Sequence, residues 1–326
     1  MASTVLVITA LEDVTADLVI AALNERGVHV ARVDPADIGP HLAFAFHLSP
    51  GSTVWSGSLR TTSREVRLEE VAAVYFRRPT PYTSRFVHLS VQEREFAVAE
   101  ARHGLGGVLN GLSGVRYVNH PLAVAHAEFK PRQLRQFTEL GLQIPPTLVT
   151  NDVDAARNFA ELHGHVVYKT FRGLPRGEGG CAGAVWTQRI DAATLDESIA
   201  VTAHLFQAEI PKRSDVRVTV VGRRVFAQEI ITPDRALDWR RGDWDQLAYG
   251  SVAVPPRIEA ALQSYLRAFG LVFGCFDFAL TGCADEPEAW WAIECNPNGQ
   301  WGWLPDADAI AGAFADVLTE KGGGQP

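Results

Sequence analysis

The stretch WWAIECNPNGQW at residues 290–301 carries one acid and two amides in alternation, namely Glu294, Asn296 and Asn298. Successive side chains of a strand point to opposite faces of a sheet, so a strand here would bring all three to one face. Oxygen donors of this kind are typical ligands of Mg2+, an ion that often accompanies nucleotide phosphates. The same letters also fit a strand that ends in an Asn-Pro-Asn-Gly turn, and the two interpretations are compatible.

The composition indicates a globular protein with more than one core. The chain has 326 residues, of which 47% are hydrophobic and 21% charged, and a chain of this length usually divides into domains. A net charge of -8 argues against nucleic acid as a partner. The four cysteines form no C-x-x-C pair. The N-terminus lacks the features of a signal peptide and no apolar run reaches membrane-spanning length, so we expect a cytoplasmic protein without a membrane partner.

The first part of the chain predicts an α/β domain. A β-branched run at 4–9, a helical pattern at 15–26 and a second strand at 28–33 indicate a β-α-β unit, and short strands within 43–68 indicate an antiparallel insert. No G-x-G-x-x-G follows the first strand, which argues against a dinucleotide site. One long helical pattern covers 87–109, and another begins at His126 and extends to Leu140.

Two adjacent arginines, Arg77 and Arg78, follow the predicted strand at 71–76. Ligands commonly bind at the carboxyl ends of strands in an open α/β sheet. The pair can therefore hold a carboxylate or another anion, or it can be solvated or paired for structural reasons. The sequence leaves both interpretations open.

A strand and a glycine-rich loop in the middle of the chain favour phosphate binding. The strand VVYKT at 166–170 places Lys169 beside the loop FRGLPRGEGGCAG at 171–183. Backbone N–H groups of such a loop can close over phosphates while the lysine neutralises them. The pattern is not a Walker motif, and a flexible hairpin would also explain it.

Asp277 lies in the apolar run LVFGCFDFAL at 271–280. A buried carboxylate is costly unless a cation or strong hydrogen bonds compensate its charge. A metal ion shared with Glu294 and Asn296 would supply that partner, and we prefer this to an isolated strand carboxylate.

The order of these parts from Lys130 to Trp303 resembles the ATP-grasp superfamily. Lys130 and Lys169 come first with the glycine-rich loop, LFQAEIPK and DVRVTVVG follow, and Asp277 precedes the Glu294-x-Asn296 pattern. The resemblance implies ATP and Mg2+ as cofactors. It further implies that the two lysines reach the nucleotide phosphates and that Asp277, Glu294 and Asn296 hold the magnesium.

The same resemblance implies roles for residues of the second half of the chain. The hinge beside adenine would consist of Gln207, Ala208, Glu209 and Ile210, acting chiefly through backbone atoms. Lys212 stands where many ATP-grasp enzymes have a ribose-binding glutamate. Asp215 and Arg217 fit a D-x-R pattern in which the arginine points toward the transferred phosphate, which suits the charge that develops there. An exposed cross-strand ion pair is the alternative for these two residues.

Four stretches narrow the resemblance to the microviridin-type or graspetide ligases, which mature ribosomal peptides. These stretches are VYFRRPTPY, QAEIPKRSDVRVTVVGRRVFAQEI, DWRRGDW and IECNPNGQWGWL. The branch implies a precursor peptide, with leader and core, as substrate. An Asp or Glu carboxylate of this peptide would be activated as an acyl phosphate and joined to a Ser or Thr hydroxyl or a Lys amine, forming a macrolactone or macrolactam.

Arginines and tryptophans are candidates for contacting that peptide. The arginines that would orient its carboxylate are Arg78, Arg217, Arg240 and Arg241, with Arg217 the foremost candidate. A solvated loop is the alternative for Arg240 and Arg241. The tryptophans can line a peptide groove or serve in packing, and they are Trp239, Trp244, Trp301 and Trp303.

We therefore expect an α/β protein with an N-terminal pre-ATP-grasp domain at 1–118 and a two-lobed α+β ATP-grasp module. Its central lobe, with a glycine-rich lid, would cover 119–205, its C-terminal lobe with the metal site 206–320, and a disordered tail 321–326. The resemblance is compatible with a homodimer. Two other functions stay open, a ligase acting on a small amino acid or metabolite and a nucleotide-responsive binding protein without turnover.

Overall fold

A computed structural model describes residues 3–172, 185–233 and 236–320. Most of the predicted glycine-rich lid lies outside the described residues, and so does the predicted tail at 321–326. Within the described residues, every helix is too short or too polar to cross a bilayer.

The chain opens with the predicted β-α-β unit. β1 (Thr4–Ile8), α1 (Val14–Glu25) and β2 (His29–Val33) follow one another, and β1 and β2 pair in parallel. The predicted antiparallel insert is confirmed as a separate sheet. Its strands are β3 (Leu42–His47), β4 (Ser56–Thr61) and β5 (Glu65–Arg67).

The rest of the N-terminal part completes a parallel sheet of order β2-β1-β6-β7. The elements are β6 (Val71–Phe76), α2 (Tyr82–Arg85), α3 (Val91–His103), α4 (Leu105–Asn110) and β7 (Arg116–Val118). The prediction of one helix over 87–109 is wrong. A capping box of Ser90 and Glu93 starts α3 later, and Gly104 separates α3 from α4.

A second sheet follows, with the order β10-β9-β11-β8. The predicted helix from His126 to Leu140 is two helices, since α5 ends at Ala127 and α6 begins at Lys130, with proline next to its start. The elements are α5 (Pro121–Ala127), α6 (Lys130–Glu139), β8 (Thr147–Thr150), α7 (Val153–His163), β9 (Val166–Lys169), β10 (Gln188–Ile190) and β11 (His204–Ala208).

The last sheet is antiparallel and has the order β14-β13-β12-β15-β16. The elements are β12 (Ser214–Val221), β13 (Arg224–Ile231), β14 (Ala248–Ser251), α8 (Pro256–Phe269), β15 (Phe273–Leu280), β16 (Trp290–Asn296) and α9 (Ala307–Thr319). Alternation along β12 sends Val216 and Val218 into the core below α8.

One hydrophobic core is shared by the first sheet and the last. Val5 and Val7 of β1 belong to the same buried cluster as Phe273 of β15, Trp301 and Phe314 of α9. Trp301 is fully buried and stacks on Phe314 with ring centroids 5.2 Å apart. Trp301 is therefore a packing residue, and the interpretation of it as part of a peptide groove is wrong.

Candidate active site

One cavity of about 670 Å³ lies between the second sheet and the last sheet. Lys169 enters it from the end of β9, the hinge residues from the end of β11, and Lys130 from the first turn of α6. β15 and β16 contribute Asp277 and Glu294 from the opposite side. Of the predicted site residues the cavity is lined by Arg78, Lys130, Lys169, Gln207, Ala208, Glu209, Ile210, Lys212, Asp215, Arg240, Asp277, Glu294 and Asn296.

Asp277, Glu294 and Asn296 converge because β15 and β16 are adjacent antiparallel strands. Asp277 is the register partner of Glu294, with an irregularity directly after Asp277. The amide Nδ2 of Asn296 donates hydrogen bonds to Asp277 Oδ2 at 3.1 Å and to Glu294 Oε1 at 3.2 Å. The two carboxylates thus accept from the same amide, and Glu294 and Asn296 share one face of β16, as alternation along the strand predicted. Asn298 lies beyond the end of β16, in the turn.

The charges of this pair fit a bound cation. Burial raises the pKa of Asp277 to about 6, opposed by Arg217 and reinforced by the charge of Glu294. Burial also acts to raise the pKa of Glu294, but Lys130 outweighs it and holds the value below the usual range. Among residues 3–172, 185–233 and 236–320 no group of three or more His, Cys, Asp or Glu side chains is arranged for a metal. Two carboxylates and an amide nevertheless suit Mg2+, which often uses one or two carboxylates together with phosphate oxygens.

Three cationic side chains surround the carboxylates. Lys130 Nζ forms an ion pair with Glu294 Oε2, and Arg217 Nη1 lies 3.1 Å from Asp277 Oδ1. Lys169 is half-buried, and desolvation lowers its pKa to about 8, with Glu294 opposing and Lys130 adding to the decrease. Glu294 and Asp277 thus compensate Lys130 and Arg217, and the concentration of cationic groups around the cavity is suited to phosphate groups.

Arg217 and Asp215 differ in their partners. Arg217 is buried and pairs with its register partner Asp277 on β15, so the alternative of an exposed ion pair is wrong for this residue. Asp215 accepts from Lys212 Nζ at 2.6 Å, and Lys212 also donates to the carbonyl of Leu237 at 2.8 Å. Burial raises the pKa of Asp215. Lys212 thus holds the loop before Asp238 against the start of β12.

Two backbone N–H groups and one side chain of the hinge already form hydrogen bonds. Ala208 N–H donates to Pro146 O at 2.9 Å, and Glu209 N–H donates to His165 O at 2.8 Å. The carboxylate of Glu209 accepts two hydrogen bonds from Arg189, each of 2.7 Å, which lower its pKa. The Glu209 side chain is therefore held by Arg189 of β10.

Arg240 is anchored by a residue that the sequence analysis did not single out. Arg240 Nε and Nη2 each donate to a different oxygen of Asp238, both at 2.8 Å, and these bonds raise the pKa of Arg240. The Asp238 side chain is only 3% exposed and also accepts from Thr187 N–H at 3.4 Å. The guanidinium lies 5.8 Å from the ring of Trp186. Arg240 is therefore a cation held by Asp238 at the cavity wall, with a side chain that stays 41% exposed. The D-x-R spacing of Asp238 and Arg240 in DWRRG is the sequence pattern that could have indicated this ion pair.

The paired arginines hold the turn that follows β16. Arg77 is 1% exposed, forms an ion pair with Asp13 at 2.7 Å, and donates to Gly299 O at 3.2 Å and to the side chain of Gln300. Arg78 donates twice to Asn298 O, at 3.1 and 2.8 Å. For Arg77 the structural interpretation is correct. Arg78 contacts the turn and also lines the cavity.

Asn119, at the predicted domain boundary, is buried and fixes the same turn from below. Its Nδ2 donates to Phe273 O and Pro297 O, both at 2.8 Å, and its Oδ1 accepts from Val272 N–H and Phe273 N–H. The backbone that follows Asn296 is therefore held by hydrogen bonds from the N-terminal part of the chain.

Three of the four predicted groove tryptophans form one aromatic cluster. Trp303 contacts Trp239 and Trp244 with ring centroids 5.1 and 5.4 Å apart, and Arg217 lies 5.9 Å from the Trp303 ring. Trp239 is buried, whereas Trp244 is exposed.

Comparison with known proteins agrees with this geometry. A family model described as the MvdD pre-ATP grasp domain matches residues 4–125. A RiPP-associated ATP-grasp ligase from Chryseobacterium gregarium, solved with ADP and a leader and core peptide, superposes with a TM-score of 0.86 at 25% identity, covering 98% of each chain. This chain therefore combines a region similar to the MvdD pre-ATP-grasp domain with the fold of RiPP ATP-grasp ligases.

Two further solved structures are similar to this ATP-grasp protein. The macrocyclase MdnC from Microcystis aeruginosa, bound with precursor peptide MdnA, has a TM-score of 0.84 at 27% identity and covers 97% of this chain and 99% of its own. The macrocyclase MdnB from the same organism has a TM-score of 0.77 at 28% identity, with 97% and 99% covered. No curated protein sequence matches the chain. The predicted fold class and branch are confirmed.

Proposed function

We propose that this protein is an ATP- and Mg2+-dependent ligase that cross-links side chains within a ribosomal precursor peptide. The observation that carries the proposal is the meeting of Lys130, Lys169, Asp277, Glu294 and Asn296 in one cavity beside the β11 hinge. The N-terminal domain of the MvdD type, together with the likeness to ligases solved with precursor peptides, supports a peptide as the substrate.

The reaction has two steps. An Asp or Glu carboxylate oxygen of the peptide takes the γ-phosphoryl group of ATP, the bond to the β-phosphate oxygen breaks, and ADP leaves. A Ser or Thr hydroxyl or a Lys amine then attacks the acyl carbon, loses its proton and displaces phosphate, which closes a macrolactone or macrolactam. Neither step needs a nucleophile from the enzyme, so positioning and charge stabilisation provide the catalysis.

Asp277, Glu294 and Asn296 would hold magnesium, which when bound neutralises phosphate oxygens. Lys130 and Lys169 bind the phosphate groups of the nucleotide, and Arg217 lies beside Asp277 where it can stabilise charge on the transferred phosphoryl group. Asp215 keeps Lys212 in place, which is a positioning role.

The remaining assigned residues bind the adenine of ATP and the reacting carboxylate of the peptide. Ala208, Glu209 and Ile210 contact adenine through the backbone groups that are not bonded to Pro146, His165 or Lys212. Arg240, fixed by Asp238, and Arg78 orient the peptide carboxylate, since a guanidinium with a free edge forms paired hydrogen bonds with a carboxylate.

The test combines purified protein, MgATP and a synthetic peptide encoded by a small neighbouring reading frame rich in Thr or Ser and Asp or Glu. Each cross-link removes one water from the peptide mass and releases one ADP, and Glu294→Gln serves as the matched inactive control. A peptide that gains the mass of an added amino acid would favour the small-molecule ligase. Binding of nucleotide and peptide without ADP or product would favour the binding protein.

The other sequence predictions are retained with this proposal. The family resemblance supports the three-part division at 118 and 205 and a homodimer. The composition and sequence pattern support a cytoplasmic location without nucleic-acid or membrane partners. Sedimentation of the purified protein measures the oligomeric state.

A further inference from the structure

Trp303 lies at the centre of an aromatic cluster and also contacts the buried Arg217. Its ring centroid is 5.1 Å from that of Trp239, 5.4 Å from that of Trp244 and 5.6 Å from that of Tyr249. The guanidinium carbon of Arg217 lies over the same ring, 5.9 Å from its centroid. Trp303 therefore packs against three aromatic rings and one cation.

Arg217 has few other restraints. Its Nη1 atom lies 3.1 Å from Asp277 Oδ1, which is its only ion pair among the described residues, and the Cys275 thiol lies beside the same guanidinium. Its Nε atom is buried and has no hydrogen-bond partner in the same part of the chain. A buried cation that lacks acceptors is costly. The face of an aromatic ring attracts a guanidinium, most strongly where water is excluded, so the Trp303 ring compensates part of this charge.

The backbone on both sides of Trp303 is fixed, which makes the ring a rigid support. Trp301 is fully buried in the core that the first sheet shares with the last, and Leu304 N–H donates to Trp301 O at 3.0 Å. A Cβ atom at Gly302 would lie 2.7 Å from Thr15 Oγ1, so the chain packs closely on α1 at this point. The position of the Trp303 ring is therefore determined by its neighbours in sequence as well as by the aromatic cluster.

Trp303 is not placed to contact a peptide in the cavity. Among the residues that the structure describes, the lining of the cavity includes Trp186 and Trp239 but not Trp303. Trp303 is half-buried, whereas Trp244, which contacts its ring, is 45% exposed. The interpretation of the cluster as a peptide groove therefore suits Trp244 better than Trp303.

We propose that Trp303 is a positioning residue for phosphoryl transfer: its indole face holds the Arg217 guanidinium beside Asp277, where it can stabilise charge on the transferred group. The inference rests on the proposed function, because it concerns the arginine of that same site. A guanidinium that is free to turn spends part of its time outside the productive arrangement. Loss of the ring should therefore slow the chemical step and leave substrate binding unchanged.

Steady-state kinetics with MgATP and the synthetic precursor peptide test this role. Trp303→Leu removes the ring face and should lower kcat about ten- to thirtyfold, while the KM values of both substrates stay within about twofold. Trp303→Phe keeps an aromatic face and should retain at least about a third of the original kcat. Trp55→Leu is the matched control, because Trp55 packs on the core of the N-terminal sheet and does not line the cavity, and it should leave kcat unchanged.

NMR of protein with isotope-labelled arginine reports on the contact between Arg217 and Trp303 without turnover. The Nε–H group of Arg217 is buried, so its signal should be protected from exchange with solvent, and Arg217→Lys identifies the signal by its loss. The ring current of Trp303 should displace this signal from the position of exposed arginines. Trp303→Leu should abolish the displacement, Trp303→Phe should reduce it, and Trp55→Leu should preserve it.

The outcomes separate the inference from the proposed function. An unchanged kcat in folded Trp303→Leu, or a raised peptide KM at unchanged kcat, would overturn the positioning role and leave the ligase proposal intact. If Trp303→Leu loses its thermal unfolding transition, Trp303→Phe decides, and an unmoved Arg217 signal in this variant would overturn the inference. If the unchanged protein releases no ADP and forms no cross-link, the ligase proposal fails, and the catalytic role of Trp303 fails with it.

Discussion

Replacing Arg77 with methionine tests the buried ion pair with Asp13, which holds the Arg77 guanidinium against the turn after β16. Arg77 and Asp13 have side-chain exposures of 1% and 7%. Removing one partner of such a pair leaves an uncompensated buried charge and costs about 3–5 kcal/mol. The lost hydrogen bond to Gly299 O adds about 1 kcal/mol. The free energy of unfolding should therefore fall by about 4–6 kcal/mol.

Urea unfolding followed by tryptophan fluorescence measures this change, because Trp301 is buried directly beyond Gln300. A double-mutant cycle with Asp13→Asn separates the ion pair from the other contacts of Arg77. The coupling should be at least about 2 kcal/mol, since the double variant buries no charge. Arg135→Met is the control, because Arg135 forms an exposed ion pair with Glu139 and should cost no more than about 1 kcal/mol. A loss below about 1 kcal/mol for Arg77→Met, or additive single effects, would refute the reasoning.

The remaining predictions concern the site. Glu294→Gln or Asp277→Asn should lower ATP turnover at least about a hundredfold while the protein keeps a cooperative unfolding transition, which shifts because Lys130 or Arg217 loses its ion-pair partner. Near-normal turnover in both variants would rule out the metal assignment. Desolvation lowers the pKa of Lys169 to about 8, so this lysine should take up a proton when nucleotide phosphates bind at pH 9. At pH 7 it is already charged and should take up none. Calorimetry in buffers of different ionisation enthalpy measures the proton uptake, which Lys169→Met should abolish. Asp238→Asn should raise the peptide KM about tenfold and leave ADP affinity unchanged, because it weakens only the anchor of Arg240; an equal loss of ADP affinity would contradict this.

The features that the sequence predicted are those encoded within one strand or its neighbour in register. Alternation in IECN at 293–296 predicted that Glu294 and Asn296 share one face. The apolar run around Asp277 required a partner that compensates the buried charge of its carboxylate. Both arguments depend on local periodicity and on the cost of burying charge. The β-α-β unit and the antiparallel insert followed from the same kind of local pattern.

The features that the sequence did not predict depend on contacts between distant segments. Asp13 and Arg77 are far apart in the sequence although they follow the neighbouring strands β1 and β6, and Gly299 lies more than two hundred residues beyond Arg77. Nothing in the letters around Arg77 distinguishes a buried arginine from a ligand-binding one. The break at Gly104 was missed because a single glycine inside a helical pattern is tolerated and reduces stability only modestly.

These distant contacts bear on why an N-terminal domain accompanies the ATP-grasp module. The strand that carries Glu294 and Asn296 runs directly into a turn whose carbonyls are held by Arg77, Arg78 and Asn119. Trp301, at the end of the same turn, is buried in the core that the first sheet shares with β15 and α9. A shift of the first sheet would therefore move the backbone next to the carboxylates proposed to bind the metal. Because that backbone is fixed at several points by buried groups, the N-terminal domain acts as a rigid support that positions Glu294 and Asn296 opposite Asp277.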